Sequence, residues 1–205
     1  MSEYSRQQDV SHGSVSRSRE IDQGLRAYMM QVYNYMMAGV ALTGVVAYAV
    51  FYLASTNQAF AQLVYVSPLK WVIMLAPLGL VFFLSARLHK MSYGGAQIAF
   101  WIFAALMGAS LSSIFLRYGG MSITRVFFIS AAAFGALSVY GYVTKKDLSG
   151  WGTFLFMGLI GIIIASIVNI FVASSALQFA VSVIGVLVFA GLTAYDTQRI
   201  KEMYH

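Results

Sequence analysis

The sequence predicts an all-α integral membrane protein, a bundle of six transmembrane helices, on three observations. Of its 205 residues 60% are hydrophobic and only 10% charged, with a mean hydropathy of +0.74. A soluble domain carries about 25% charged and about 45–50% apolar residues. Second, the apolar residues fall into six long, charge-poor runs, each near the roughly 20 residues that a helix needs to cross a hydrocarbon core of about 30 Å. Third, the runs never settle into alternation at every second residue, which argues for helices over a barrel. A water-soluble enzyme, a nucleic-acid module and a disordered protein are excluded on these grounds. The net charge of +6 comes from 13 basic residues spread along the chain, which form no nucleic-acid-binding stripe. Cysteine is absent, so no disulfide framework, thiol nucleophile or thiolate metal cluster is expected.

Residues 1–30 hold four arginines (Arg6, Arg17, Arg19, Arg26), four acids (Glu3, Asp9, Glu20, Asp22) and many Ser and Gln, and read as a mobile polar cytoplasmic tail. They do not read as a cleavable signal, because the polar run precedes the first apolar stretch and no small-residue cleavage site follows a short apolar core. Residues 31–205 form the transmembrane domain. Its first span is Tyr33–Ala54. The second, Trp71–Ala86, lies between Lys70 and Arg87 and contains Pro77, which predicts a kinked helix with both cations snorkelling. Ala96–Leu116, Val126–Val143, Trp151–Ala173 and Leu177–Tyr195 complete the six.

Orientation follows from the loops. The tail, residues 87–95, residues 144–150 and the stretch after the sixth span carry ten Lys and Arg between them; the other side carries only Lys70, Arg117 and Arg125. The positive-inside rule then places both ends of the chain in the cytoplasm. Small-residue pairs at helical spacing (Ala104/Gly108, Ala131/Gly135, Gly158/Gly161) predict close helix packing. Trp71, Trp101, Trp151 and Tyr140 near span ends read as interfacial anchors.

No catalytic set emerges. His12, His89 and His205 lie outside the spans, leaving no base for an intramembrane serine nucleophile. Ser110 in Gly108-Ala109-Ser110-Leu111 gives half of a nucleophile motif without its closing glycine. Beyond the tail the acids are Asp147, Asp196 and Glu202, too few within the spans for a carboxylate pair. The protein reads as a non-enzyme with no cofactor and no resident metal. Among polar span residues, Asn34 and Asn169 lie near span ends, with Asn169 able to hydrogen-bond across helices. Ser130, Ser138, Ser166 and Thr193 can bond back to their own helices.

Asp196 stands apart. It follows the sixth span in Gly191-Leu192-Thr193-Ala194-Tyr195-Asp196-Thr197-Gln198-Arg199, and an acid at the edge of hydrocarbon marks function by default. Thr193 and Arg199 share roughly its helix face. Either Asp196 pairs with Arg199 or reaches water at the interface, or it is a gate carboxylate. Burial raises a carboxyl pKa and a nearby arginine lowers it, so such a group can switch an ion path with pH.

The run Val186-Leu187-Val188-Phe189-Ala190-Gly191-Leu192-Thr193-Ala194-Tyr195-Asp196-Thr197-Gln198-Arg199-Ile200-Lys201 resembles the signature of the Bax inhibitor-1 (TMBIM) family. Gly150-Trp151-Gly152, Gly158-Leu159-Ile160-Gly161, Val168-Asn169-Ile170-Phe171, Ser112-Ser113-Ile114-Phe115-Leu116 and Arg125-Val126-Phe127-Phe128 are similar to its bacterial, YccA-like branch. The resemblance covers roughly residues 25–205. It implies a seven-helix fold around a central last helix, and a pH-responsive passive leak of cations, notably Ca²⁺, as the permeant ion. It implies that Asp196 is the pH-sensing gate carboxylate and that a second aspartate on a seventh helix shares its proton, the two titrating as a coupled unit. An arginine near the second helix acts as a latch in the family, and Arg87 matches by position; Arg199 is the alternative latch. The chain stops nine residues past Asp196, before that helix, so the resemblance implies either a fragment or a six-helix member with a broken carboxylate pair. It also implies a bacterial inner-membrane location. The alternative function is a non-conducting regulator that binds a membrane-anchored AAA protease through the 1–30 tail. The cell-death role belongs to eukaryotic relatives and is not carried over.

Overall fold

A computed structural model describes the backbone of residues 2–87 and 90–204, with side chains from Gln23 onward within those ranges. The side chain of His12, and the whole of His89 and His205, lie outside the described residues. In chain order the elements are α1 (Ser2–Thr56), α2 (Gln58–Ala61), a five-residue π-helix (Gln62–Val66), α3 (Leu69–Arg87), α4 (Tyr93–Leu111), α5 (Ile114–Arg117), α6 (Gly120–Val143), α7 (Ser149–Val172) and α8 (Ser175–Glu202). Among the described residues, six helical segments are long and apolar enough to cross a membrane: Gln23–Thr56, Leu69–Arg87, Tyr93–Arg117, Gly120–Val143, Ser149–Val172 and Ser175–Glu202. The six-helix fold class expected from hydropathy is the one observed.

The stretch expected as a separate tail is instead the first part of α1, whose backbone is helical from Ser2 into the first span. The stretch lacks proline, and its Arg, Gln, Glu and Met residues are good helix formers. Leu25 and Met29 are buried, so the packed part of the helix begins before residue 30. Asn34 accordingly lies well inside a helix. α3 runs through Pro77 without interruption.

The chain divides into two compact units, Met30–Arg125, and Met1–Met29 with Val126–His205. In both, most large apolar residues are outside, and in Met30–Arg125 the buried apolar residues are mostly alanine. Ala47, Ala99, Ala104 and Ala194 are buried, whereas Met121, Ile170 and Phe171 are exposed. A soluble core has the opposite distribution. Lipid tails are as apolar as leucine, so helices associate where small residues let backbones approach, and the large side chains remain for the bilayer.

In the Met30–Arg125 unit, α4 lies against α1. A Cβ added at Gly108 would stand 2.5 Å from the Thr43 carbonyl oxygen and 2.8 Å from the Val46 Cβ. One turn away, the Thr43 hydroxyl donates to the Ala104 carbonyl at 2.9 Å. The expected Ala104/Gly108 contact is therefore present. Trp101, expected as an interfacial anchor, packs among the helices against Tyr35 and Phe100, while Trp71 and Trp151 are exposed. α4 ends at Leu111, where Ser112, fully buried, turns its hydroxyl onto the Ala109 carbonyl and accepts from the Tyr65 hydroxyl at 3.0 Å.

In the other unit, α7 and α8 form a hairpin joined by Ala173 and Ser174. Ala173 takes the left-handed conformation (φ 49°), and the Ser174 side chain caps α8 by accepting from the Leu177 N–H. Gly158 packs on Val188, whereas Gly161 and Gly135 have open space where a Cβ would stand. Of the three expected small-residue contacts, the Ala131/Gly135 one is thus absent. Gly135 and Gly161 lie on helix faces turned away from neighbours within their unit.

Candidate functional site

The end of α8 that carries Asp196 is fixed by glycines opposite it. A Cβ on Gly141 of α6 would run into the Ala194 carbonyl oxygen, and one on Gly152 of α7 would stand 2.6 Å from the Tyr195 ring. Gly191 is held as closely by Leu155. Gln198, buried, reaches the α6–α7 connection with both ends of its amide: its Nε2 donates to the Lys146 carbonyl and its Oε1 accepts from the Leu148 N–H, each at 2.8 Å. Only one orientation of the amide satisfies both bonds. Thr197, also buried, donates back to the Thr193 carbonyl. Lys201 donates to the Tyr142 carbonyl at 2.8 Å, with its ammonium 5.1 Å from the Tyr142 ring centre. The cation thereby meets the negative end of the α6 dipole.

Asp196 is the exception in this motif. Ala194, Tyr195, Thr197 and Gln198 are all committed to packing or to hydrogen bonds, but Asp196 is exposed. Among the described residues no hydrogen bond or salt bridge holds its carboxylate. The pairing with Arg199 considered above is an electrostatic influence, not a contact. The sixth span was expected to end at Tyr195; α8 instead continues through Asp196 to Glu202, where Gln198 ties that last stretch to the α6–α7 connection and Lys201 ties it to the end of α6.

An apolar groove of about 420 Å³ lies between α6 and α8, bounded by Ala133, Phe134 and Leu137 on one side and Gly185, Phe189 and Thr193 on the other. Asp196 is three residues beyond Thr193 and seven beyond Phe189, which puts it on the same helix face, one turn past the end of the groove. Thr193 spends its hydroxyl on its own helix, donating to the Phe189 carbonyl at 2.9 Å; Ser166 does the same with Ile162. Ser138 does not follow this pattern: its hydroxyl is buried with no hydrogen-bond partner.

Asn169, able by its position to bond across helices, closes the α7–α8 turn instead. Its Oδ1 accepts from the Ser174 N–H at 3.0 Å, because Val172 ends the helix and the chain reverses directly over the Asn169 side chain. Arg87 belongs to the Met30–Arg125 unit, where its guanidinium lies over the Phe83 ring, 5.7 Å from the centroid. Asp147, in the α6–α7 connection, accepts from the Ser149 hydroxyl and N–H. These bonds hold its carboxyl below the usual carboxylate range, so it stays charged beside Lys145 and Lys146. No group of three or more His, Asp and Glu among the described residues could hold a metal ion.

The sequence profile described as "Inhibitor of apoptosis-promoting Bax1" matches residues 25–205. The chain is 46% identical over 192 residues to a protein of Rickettsia prowazekii, covering 94% of this chain and 80% of the relative. It is 47% identical over 181 residues to the inner membrane protein YbhL of Escherichia coli K12, covering 88% and 76%, and 45% identical over 190 residues to a protein of Caulobacter vibrioides, covering 90% and 76%. No solved structure matches. With six helices able to span a bilayer and a family match over nearly all of the described residues, this chain belongs to the Bax inhibitor-1 family of multi-pass helical membrane proteins.

Proposed function

We propose that the chain is a pH-responsive passive cation leak of a bacterial inner membrane, with Ca²⁺ as the permeant ion and Asp196 as the gate carboxylate. One observation carries the reading: within the Ala194–Gln198 motif every residue but Asp196 is held by close packing or a hydrogen bond, and Asp196 stands free of hydrogen bonds among the described residues, on the face of the α6–α8 groove. A rigid helix that presents one unengaged carboxylate at the mouth of an apolar groove has the parts of a gate. When ionised, the carboxylate attracts a cation; once protonated, it does not. In this reading Arg199, which influences the carboxylate electrostatically, competes for it, and Arg87 is the second candidate latch. Thr193, with its hydroxyl spent on the helix, shapes the groove wall.

The expected result in liposomes loaded with a Ca²⁺ dye is a flux that varies with pH across roughly pH 6 to 8. Asp196→Asn should remove that variation. Equal pH profiles for the wild type and Asp196→Asn would refute the assignment.

We also propose that both chain ends lie on the cytoplasmic side. Ten Lys and Arg against three support this. So does the gathering of three basic segments at one end of their unit, where a Cβ on Gly24 would meet the Tyr204 hydroxyl, the Tyr28 and Tyr204 rings lie 5.5 Å apart, and Gln198 binds the 146–148 backbone. A fluorescent protein fused after residue 205 should therefore fluoresce in cells, and a periplasmic phosphatase fused there should be inactive. The reverse pattern would overturn the topology.

A further inference from the structure

Pro77 lies inside α3 and is buried. It has no N–H, so the Ile73 carbonyl four residues earlier lacks its helical donor. In hydrocarbon no water replaces that donor, and an unsatisfied carbonyl is costly there. The Ser110 hydroxyl of α4 fills the place, donating to the Ile73 carbonyl oxygen at 2.5 Å. Among the described residues this is the side-chain hydrogen bond that joins α3 to α4. Ser110 also has an acceptor within its own helix, since a helical serine can bond to the carbonyl four residues back, here that of Leu106.

We propose that Pro77, Ile73 and Ser110 form a hinge with a removable rung. With the Ser110 hydroxyl on Ile73, the gap in the α3 ladder is closed and α3 is held to α4. When the hydroxyl turns back to Leu106, the Ile73 carbonyl is released, and α3 can bend at the turn that already lacks one hydrogen bond. The rest of α4 stays in place in both states. The Thr43 bond to Ala104, the close approach at Gly108 and the Tyr65–Ser112 bond fasten it on other faces. α3 is therefore the element that moves, and Ser110 is its positioning residue.

The test is a double-mutant cycle on the full chain in detergent micelles, comparing wild type, Ser110→Ala, Pro77→Ala and the double variant by reversible unfolding and by amide exchange across α3. Ser110→Ala alone should raise the unfolding equilibrium constant by about fivefold to thirtyfold, the cost of orphaning one buried acceptor, and speed exchange next to Pro77. In the Pro77→Ala background the backbone at position 77 regains an N–H for the Ile73 carbonyl, and the same Ser110→Ala change should have less than about a twofold effect. Ser110→Thr keeps the hydroxyl and should restore wild-type exchange, a result that does not depend on Pro77→Ala folding. An equal effect of Ser110→Ala in both backgrounds, or failure of threonine to restore slow exchange, would show that Ser110 acts by packing alone and would overturn the hinge.

Discussion

Replacing Gly108 with valine is expected to destabilise the protein by about 3 kcal/mol, the sum of overpacking and one lost interhelical hydrogen bond. The added Cβ would stand 2.5 Å from the Thr43 carbonyl oxygen and 3.1 Å from the Ala47 nitrogen. Both are backbone atoms of α1 and cannot swing aside as a flexible side chain would. α4 must move off α1, and the movement stretches the Thr43–Ala104 bond one turn away. Opposing this is the gain from removing glycine from a helix, at most about 1 kcal/mol, so the clash wins. Gly135→Val is the control, because a Cβ there meets nothing within 4 Å. Unfolding curves in detergent should separate the two variants clearly. Coincident midpoints would mean that α1 and α4 do not approach closely at Gly108.

Gln198→Ala should cost about 2 kcal/mol and loosen the α6–α7 connection, because it orphans two backbone groups, the Leu148 N–H and the Lys146 carbonyl. Amide exchange at Leu148 should rise. Gln198→Glu makes a sharper probe. It keeps the acceptor for Leu148 but loses the donor for Lys146, and it places an anion in a buried position, so its stability should depend on pH where that of Gln198→Ala does not. Unchanged exchange at Leu148 in both variants would remove Gln198 from its role as the tie between α8 and the connection. The two predicted effects add, since Gly108 and Gln198 lie in separate compact units and share no partners.

Much of the architecture was legible because hydropathy is a local sum. Twenty apolar neighbours make a membrane span regardless of what they later touch, so six spans could be read directly from the sequence. The Ala104/Gly108 pair was legible for a related reason, since helical spacing is itself local. The contacts of Gly141, Gly152 and Gly191 were not, because each depends on a partner in a different helix and a lone glycine carries no mark of that partner. Gln198 was hidden in the same way: its hydrogen bonds reach 50 and 52 residues back along the chain, and an amide in a helical motif looks like any surface residue. Asn169 misled because an amide near a helix end serves equally well for a turn or for a neighbour, and only the positive φ at Ala173 decides between them. The tail boundary at residue 30 follows polarity, which marks where a chain leaves lipid but not where a helix begins. Asp196 was visible as chemistry; the fixing of every residue around it was not.

The two-residue turn at Ala173 and Ser174 has a consequence for how the protein is made. A link that short, pinned by the Asn169 side chain, leaves no slack for α7 to settle in the bilayer while α8 waits outside. The pair is expected to enter the membrane as one hairpin, with the carboxylate-bearing helix beside α7 from the start.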